Sequence, residues 1–271
     1  PRPTAAPTTI ATTTTAPPVQ ITAVPPPPNT GEPGYQWYVH PAGDGQHILL
    51  AVRRAAPTKR HPAVVLDDTS GGFNLDYLTF ADELVAHGFD VVVGCLYSPP
   101  LPLDPAGRRI PCADAPMFDG LANSMVAALD GLVDAGYEAL GRATPMAVMG
   151  FSRGAGVAAM RAAAGRPEPV LLISGKYEGW GDPSKPGGLV SVEERFEPWR
   201  APALIMHGTA DGAVPVQQAY TLEAALRAKG IVVESHYYEG SGHNLSGEPP
   251  IHDDFVNRTV AFVCARLGCP A

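Results

Sequence analysis

A serine framed by glycines, an aspartate and a histidine, met in that order along the chain, are the residues equipped to do chemistry together. The serine is Ser152 in Gly150-Phe151-Ser152-Arg153-Gly154, with the β-prone run Pro145 to Met149 before it and helix formers from Ala155 to Arg161 after it. That pattern sets Ser152 at a sharp strand-to-helix turn, where glycines avoid colliding Cβ atoms and the hydroxyl is left exposed. A serine hydroxyl is too weakly acidic to attack an acyl carbon at neutral pH, so it needs a base, usually histidine. The histidine in turn needs a carboxylate to fix its tautomer and stabilise its cation. Downstream, a buried run from Ala203 leads into His207-Gly208-Thr209-Ala210-Asp211, and the β-rich run Ile231 to Tyr238 leads into Gly242-His243-Asn244. Asp211 and His243 therefore fall just past strand ends, where a parallel sheet gathers its functional loops. Blander readings exist: Asp211-Gly212 is a common turn dipeptide, and His243 lies in a polar loop. The shared order with Ser152 favours a triad. His207, at a strand end, reads as structural, holding the acid loop by a hydrogen bond.

With those motifs in view, the chain resembles the α/β-hydrolase fold, and within it the dienelactone hydrolase-like and prolyl-oligopeptidase-like branch. The resemblance rests on Gly150 to Ala155, on His207 to Asp211 with Val214-Pro215, and on Gly242-His243. It spans Tyr35 to the C-terminus and implies Ser152 as nucleophile, Asp211 as acid and His243 as base. Dienelactone hydrolases proper carry a cysteine where this chain has Ser152, which moves the expectation from lactones to a general serine esterase. The resemblance also implies two oxyanion donors. One is the backbone N–H of Arg153; the other comes from the loop Asp67 to Phe73, where alignment selects Ser70, with Thr69 or Gly71 one residue away. Asp182, after the preceding strand, is the runner-up acid. The short segment Lys176 to Pro202 leaves no room for a large cap domain, so an open cleft is expected, lined by some of Phe73, Phe151, Tyr177 and Trp180. Trp199 is expected to pack instead.

These residues need a scaffold, and the alternation of apolar runs describes one. Gln36 to His40 and His47 to Arg53 read as an opening antiparallel pair. Pro62 to Leu66, Asp90 to Cys95, Pro145 to Met149, Pro169 to Ser174 and the two runs before the acid and the histidine read as strands. Helices are expected over Leu75 to His87, Phe118 to Ala135, after Ser152, over Gln217 to Lys229, and at the C-terminus on the stripe Val256, Val260, Val263 and Leu267. The fold class is therefore α/β, a mostly parallel central sheet with helices on both faces.

Composition sets the outer limits. The chain has 271 residues, 45% of them hydrophobic, enough for one large core. A formal charge of −8 argues against a nucleic-acid partner, and no apolar run reaches bilayer length. No His/Cys/Asp spacing suggests a metal, and no cofactor is called for; the resemblance to serine esterases implies a small or polymeric ester as the partner. Residues 1–34 are rich in threonine and proline, with Thr12 to Thr15 and Pro25 to Pro28 homopolymeric. They read as a disordered stalk, with 35–271 as the catalytic domain. The chain opens at Pro1, which fits removal of an export signal and a secreted or envelope location. Four cysteines, Cys95, Cys112, Cys264 and Cys269, fit that location. Of the three pairings they allow, two local bridges fit best. Cys264 and Cys269 would lie about 7.5 Å apart along a continuous helix, but Gly268 can end the helix and fold Cys269 back. Such a clip resembles those of secreted actinobacterial cutinases and polyester hydrolases. Two other readings stand beside the secreted esterase: a serine peptidase of prolyl-oligopeptidase type, and an inactive envelope binding protein on a hydrolase scaffold.

Overall fold

The computed structural model describes residues 20–26, 34–43, 46–56, 59–67, 73–94, 109–110, 119–179, 192 and 198–269. Its centre is a nine-stranded sheet. The strands are β1 (Thr22–Val24), β2 (Gln36–Gly43), β3 (Gln46–Arg53), β4 (Ala63–Asp67), β6 (Asp90–Gly94), β8 (Met146–Phe151), β9 (Val170–Ile173), β10 (Ala203–Gly208) and β11 (Val233–Tyr238). A separate small pair joins β5 (Phe73–Asn74) to β7 (Arg109–Ile110). The sheet order is β1-β2-β3-β6-β4-β8-β9-β10-β11. The β1, β2, β3 and β6 contacts are antiparallel, and every pairing from β6 through β11 is parallel.

Strands buried on both faces read as near-continuous apolar runs, and β4, β6, β8, β9 and β10 are buried along their whole length, with polar residues such as Asp67, Asp90 and His207 at or near their ends. Alternate residues divide between two cores. Ala63, Val65, Val92, Val148 and Ile205 face α2 (Asp119–Leu140), α3 (Arg153–Ala163) and α4 (Gln217–Ala228). Val64, Leu66, Val93, Met149 and Met206 face α1 (Leu75–Ala86) and α5 (His252–Leu267). This is the expected parallel sheet covered on both sides.

Two boundaries differ from expectation. Helix α2 runs on to Leu140 rather than stopping at Ala135. Gly136 does not end it, because its bare Cα lets the helix lie against β6, where an added Cβ would sit 3.2 Å from Val92. The stop is Gly141, at φ +103°. The second difference lies in the expected stalk. Thr22–Val24 pairs antiparallel with Trp37, Tyr38 and Val39 of β2, and Ile21 and Val24 pack onto the core. The Gln20 carbonyl also accepts a hydrogen bond from His40 Nδ1 at 2.9 Å. The apolar, partly β-branched stretch Ile21 to Val24 completes an otherwise open edge of β2, so the ordered sheet begins well before residue 35. The rest of the Thr/Pro-rich stretch lies largely outside the described residues.

Candidate active site

Strand β8 ends at Phe151, and α3 begins at Arg153, so one residue must reverse the chain. That residue is Ser152, at φ 53° and ψ −113°, a conformation costly for any side chain with a Cβ. Its N–H donates to the Ile173 carbonyl at 2.8 Å, and its own carbonyl accepts from the Lys176 N–H at 3.0 Å. The turn is thus stitched to the adjoining strand β9, which helps to hold the strain. A Cβ on Gly150 would strike the Gly154 carbonyl, so the motif glycine allows α3 to close on β8. The Ser152 hydroxyl makes no capping bond to α3, and Arg153 opens the helix with its N–H in the first turn.

Because β8, β9, β10 and β11 are parallel neighbours, their carboxyl ends share one edge of the sheet. Asp211 follows β10 there and His243 follows β11. The Asp211 side chain is fully buried, while that of His243 is 33% exposed. Asp211 Oδ1 accepts the backbone N–H groups of Ala213 and Val214, each at 2.8 Å. Its Oδ2 lies 2.7 Å from His243 Nδ1 and 3.0 Å from His207 Nε2. A carboxylate can only accept, so His243 carries its proton on Nδ1 and keeps the Nε2 lone pair for a proton from elsewhere. Burial pushes the Asp211 carboxyl up, but the Val214 N–H, His243 and the Ala213 N–H together hold it below its ordinary value.

His207 fills the structural role expected of it. It is buried, with Nε2 also 3.0 Å from the Val214 carbonyl, so one N–H braces both ends of the acid loop. Burial first, and the nearby His243, push its pKa down, while the Val214 carbonyl and Asp211 oppose them; the net direction is downward. The acid and base loops are also bound to each other. The Ala210 N–H donates to the Ser241 carbonyl at 2.9 Å, and a Cβ on Gly208 would collide with the carbonyls of Ser241 and Gly242. Glu248 closes the base loop by accepting the Gly242 N–H at 2.7 Å. Sequence reasoning missed Glu248, although an acid within a short glycine-bearing loop is itself a signal of such a bond.

Of the four aromatics expected to supply a cleft lining, two pack elsewhere. Tyr177 is fully buried. Its N–H and that of Glu178 both donate to Gln218 of α4, which draws the segment over that helix and turns the ring into the core. Phe151 is 8% exposed and meets Phe80 edge-on at 6.0 Å, so it packs beneath the elbow rather than lining a cleft. Trp199 is buried with its indole N–H on the Ala201 carbonyl at 2.7 Å, the packing role expected of it. Ser70, Trp180, Asp182, Cys95, Cys112 and the Phe73 side chain lie outside the described residues. In the first turn of α5, Asp254 pairs with Arg258 Nε at 2.6 Å. Cys264 and Cys269 are bonded, with Gly268 at φ 89° making the fold-back. Among the described residues no group of three or more His, Cys, Asp or Glu side chains is arranged to hold a metal, and no helix is long and apolar enough to cross a membrane.

Sheet order, elbow and edge loops together define a protein of the α/β-hydrolase fold, and comparisons agree. A model of the prolyl oligopeptidase family matches residues 150–269, the stretch from the elbow to the last helix. Among solved structures, esterase 2 of Thermogutta terrifontis, phosphorylated by paraoxon, superposes with a TM-score of 0.67 at 15% identity, over 88% of this chain and 96% of that one. A putative dienelactone hydrolase from Klebsiella pneumoniae gives 0.63 at 19% identity, over 82% and 94% of the two chains. Est1E from Butyrivibrio proteoclasticus gives 0.62 at 14% identity, over 86% and 100%. No curated protein matches the chain.

Proposed function

We propose that the protein is a secreted serine esterase that cleaves small and medium acyl esters through a covalent acyl-enzyme. The observation that carries this reading is the buried Asp211 carboxylate bound to His243 Nδ1 at 2.7 Å, presented on the same sheet edge as the strained Ser152. Ser152 Oγ attacks the ester carbonyl as His243 Nε2 takes its proton; the resulting imidazolium is stabilised by Asp211. The Arg153 N–H, with that of Ser70 as its proposed partner, stabilises the tetrahedral oxyanion. His243 then protonates the leaving alcohol, and water, activated by the same nitrogen, hydrolyses the acyl-Ser152 ester. Export is supported by the C-terminal disulfide, a bond that persists in oxidising compartments.

A peptidase is the second reading, favoured by the family model over residues 150–269. Hydrolysis of a p-nitrophenyl ester series beside aminoacyl nitroanilides separates the two, and polymeric esters extend the same series. Paraoxon, which phosphorylates the Thermogutta esterase, is proposed to label this chain at Ser152 and to spare Ser152→Ala. Neither turnover nor labelling would leave the inactive binding scaffold as the answer.

A further inference from the structure

The loop that carries His243 meets α1 in two ways: Leu245 is buried in the apolar cluster that also holds Leu78, Phe80 and Leu84 of α1, and beside that cluster the contact is open. After His243 the chain forms the short 3-10 turn Leu245–Gly247 and enters α5 at His252. Between that turn and α1 lies a cavity of about 260 Å³, with Glu83, Asn244, Ser246, Gly247 and His252 in its walls. Apolar packing at Leu245 thus stops beside this opening, and polar contacts span the rest. What crosses the gap is His252. Its Nδ1 lies 2.7 Å from the Ser246 carbonyl oxygen, and its Nε2 lies 3.0 Å from the Glu83 carboxylate.

Both of those oxygens only accept, so both bonds form only when each ring nitrogen carries a proton. The imidazolium is thus the form that fits the site. The charged groups bearing on it are Glu83 from α1 and Asp253 from α5, while the turn contributes the Ser246 carbonyl. Burial alone would lower the His252 pKa, but Ser246, Glu83 and Asp253 outweigh it and hold it above the ordinary value.

We infer that His252 is a positioning residue for His243: as an imidazolium bound at both nitrogens, it clamps the base-bearing loop to α1 across the cavity and releases it on deprotonation. The inference rests on His243 being the base. The ring makes no contact with the reacting atoms; it acts through the turn that follows Asn244. Because the folded pKa is raised, the clamp is fully present below the ordinary histidine value of 6.5 and is lost as pH rises through the higher folded value. A neutral ring sets a lone pair against one of the two oxygens, and that strut is broken.

The test uses the full chain at a series of pH values from about 5 to 9, the span over which a histidine titrates. Imidazole ¹H–¹⁵N spectra follow His252, hydrogen exchange follows the amides of residues 242–247, and kcat is read on p-nitrophenyl butyrate. Expected is one shared midpoint, through which amide protection falls about three- to tenfold, the factor for one charge-assisted bond at a partly exposed site, with kcat falling alongside. Glu83→Gln should move the titration, the protection step and the kcat limb together to lower pH; a passive contact would change Tm and leave the limb in place. Should that variant fail to fold, coincidence of the midpoints in the parent protein decides. Protection that is flat through the His252 titration overturns the clamp, and a protection step with an unresponsive kcat overturns its positioning role. A protection step in a protein that hydrolyses no ester upholds the clamp and sinks the esterase reading, so the two failures are distinct.

Discussion

Replacing Asp211 by Asn tests the site most directly, because the consequences follow from counting donors. Asp211 accepts two backbone N–H groups at Oδ1 and faces two imidazole nitrogens at Oδ2. Asparagine keeps an oxygen for the Ala213 and Val214 amides, which leaves its NH₂ group facing both rings. An NH₂ cannot accept, so His243 must move its proton from Nδ1 to Nε2, the nitrogen that has to be bare to act as a base. The imidazolium also loses its counter-charge. Together these should lower kcat about 10,000-fold, or about 5 kcal/mol of transition-state stabilisation. Stability suffers separately. His207 can keep its Nε2 proton on the Val214 carbonyl, but that N–H then faces an amide NH₂ instead of the carboxylate oxygen, at a cost of about 1–3 kcal/mol and a Tm lower by roughly 2–10 °C. A pH signature follows as well. The depressed Asp211 pKa contributes stability above the ordinary carboxyl value of 3.8, lost as pH falls through the lower folded value; the Asn variant should lack that acid-side loss. The assays are steady-state hydrolysis of p-nitrophenyl butyrate and thermal melts, with Asp254→Asn as control, since the exposed Asp254–Arg258 pair is worth little. Turnover within tenfold of the parent in Asp211→Asn, or a larger loss in Asp254→Asn, would refute the reasoning.

The remaining predictions are briefer. Ser152→Ala and Ser152→Gly should both abolish paraoxon labelling, but the glycine variant should melt higher by a few degrees, because it removes about 1–2 kcal/mol of strain at φ 53°; equal Tm values would show that the elbow is unstrained. Removing residues 1–19 should leave Tm unchanged, whereas removing 1–34 strips β1 with Ile21 and Val24 and should lower it by about 2–6 °C; equal melts for the two truncations would mean β1 adds nothing to the sheet. Cys264→Ser with Cys269→Ser should cost at most about 2 kcal/mol, as the closed loop is short, and hydrogen exchange should localise the change to the last turn of α5; loss of activity on soluble esters would contradict so local an effect.

Which parts of this protein could be read before folding depends on the range of the forces involved. The elbow was legible because strand, glycine, serine, glycine and helix are contiguous, and sterics over five residues dictate them. Most of the strands and helices were legible for the same reason, since burial on both sheet faces demands unbroken apolar runs such as Val64 to Leu66 and Val91 to Val93. The order Ser152, Asp211, His243 also lies in the chain. Tertiary structure decided whatever depended on a distant partner. Tyr177 and Phe151 have aromatic side chains suited equally to a cleft or a core, and only Gln218 and Phe80 determine which. Ile21 to Val24 looks like more of a proline-rich tail until β2 offers an open edge. The His252–Glu83 contact joins residues 169 positions apart, with no local pattern to announce it. Nearest-neighbour sterics and apolar periodicity are written along the chain, whereas the partner of a polar or amphipathic side chain is settled when the sheet brings remote segments to one edge.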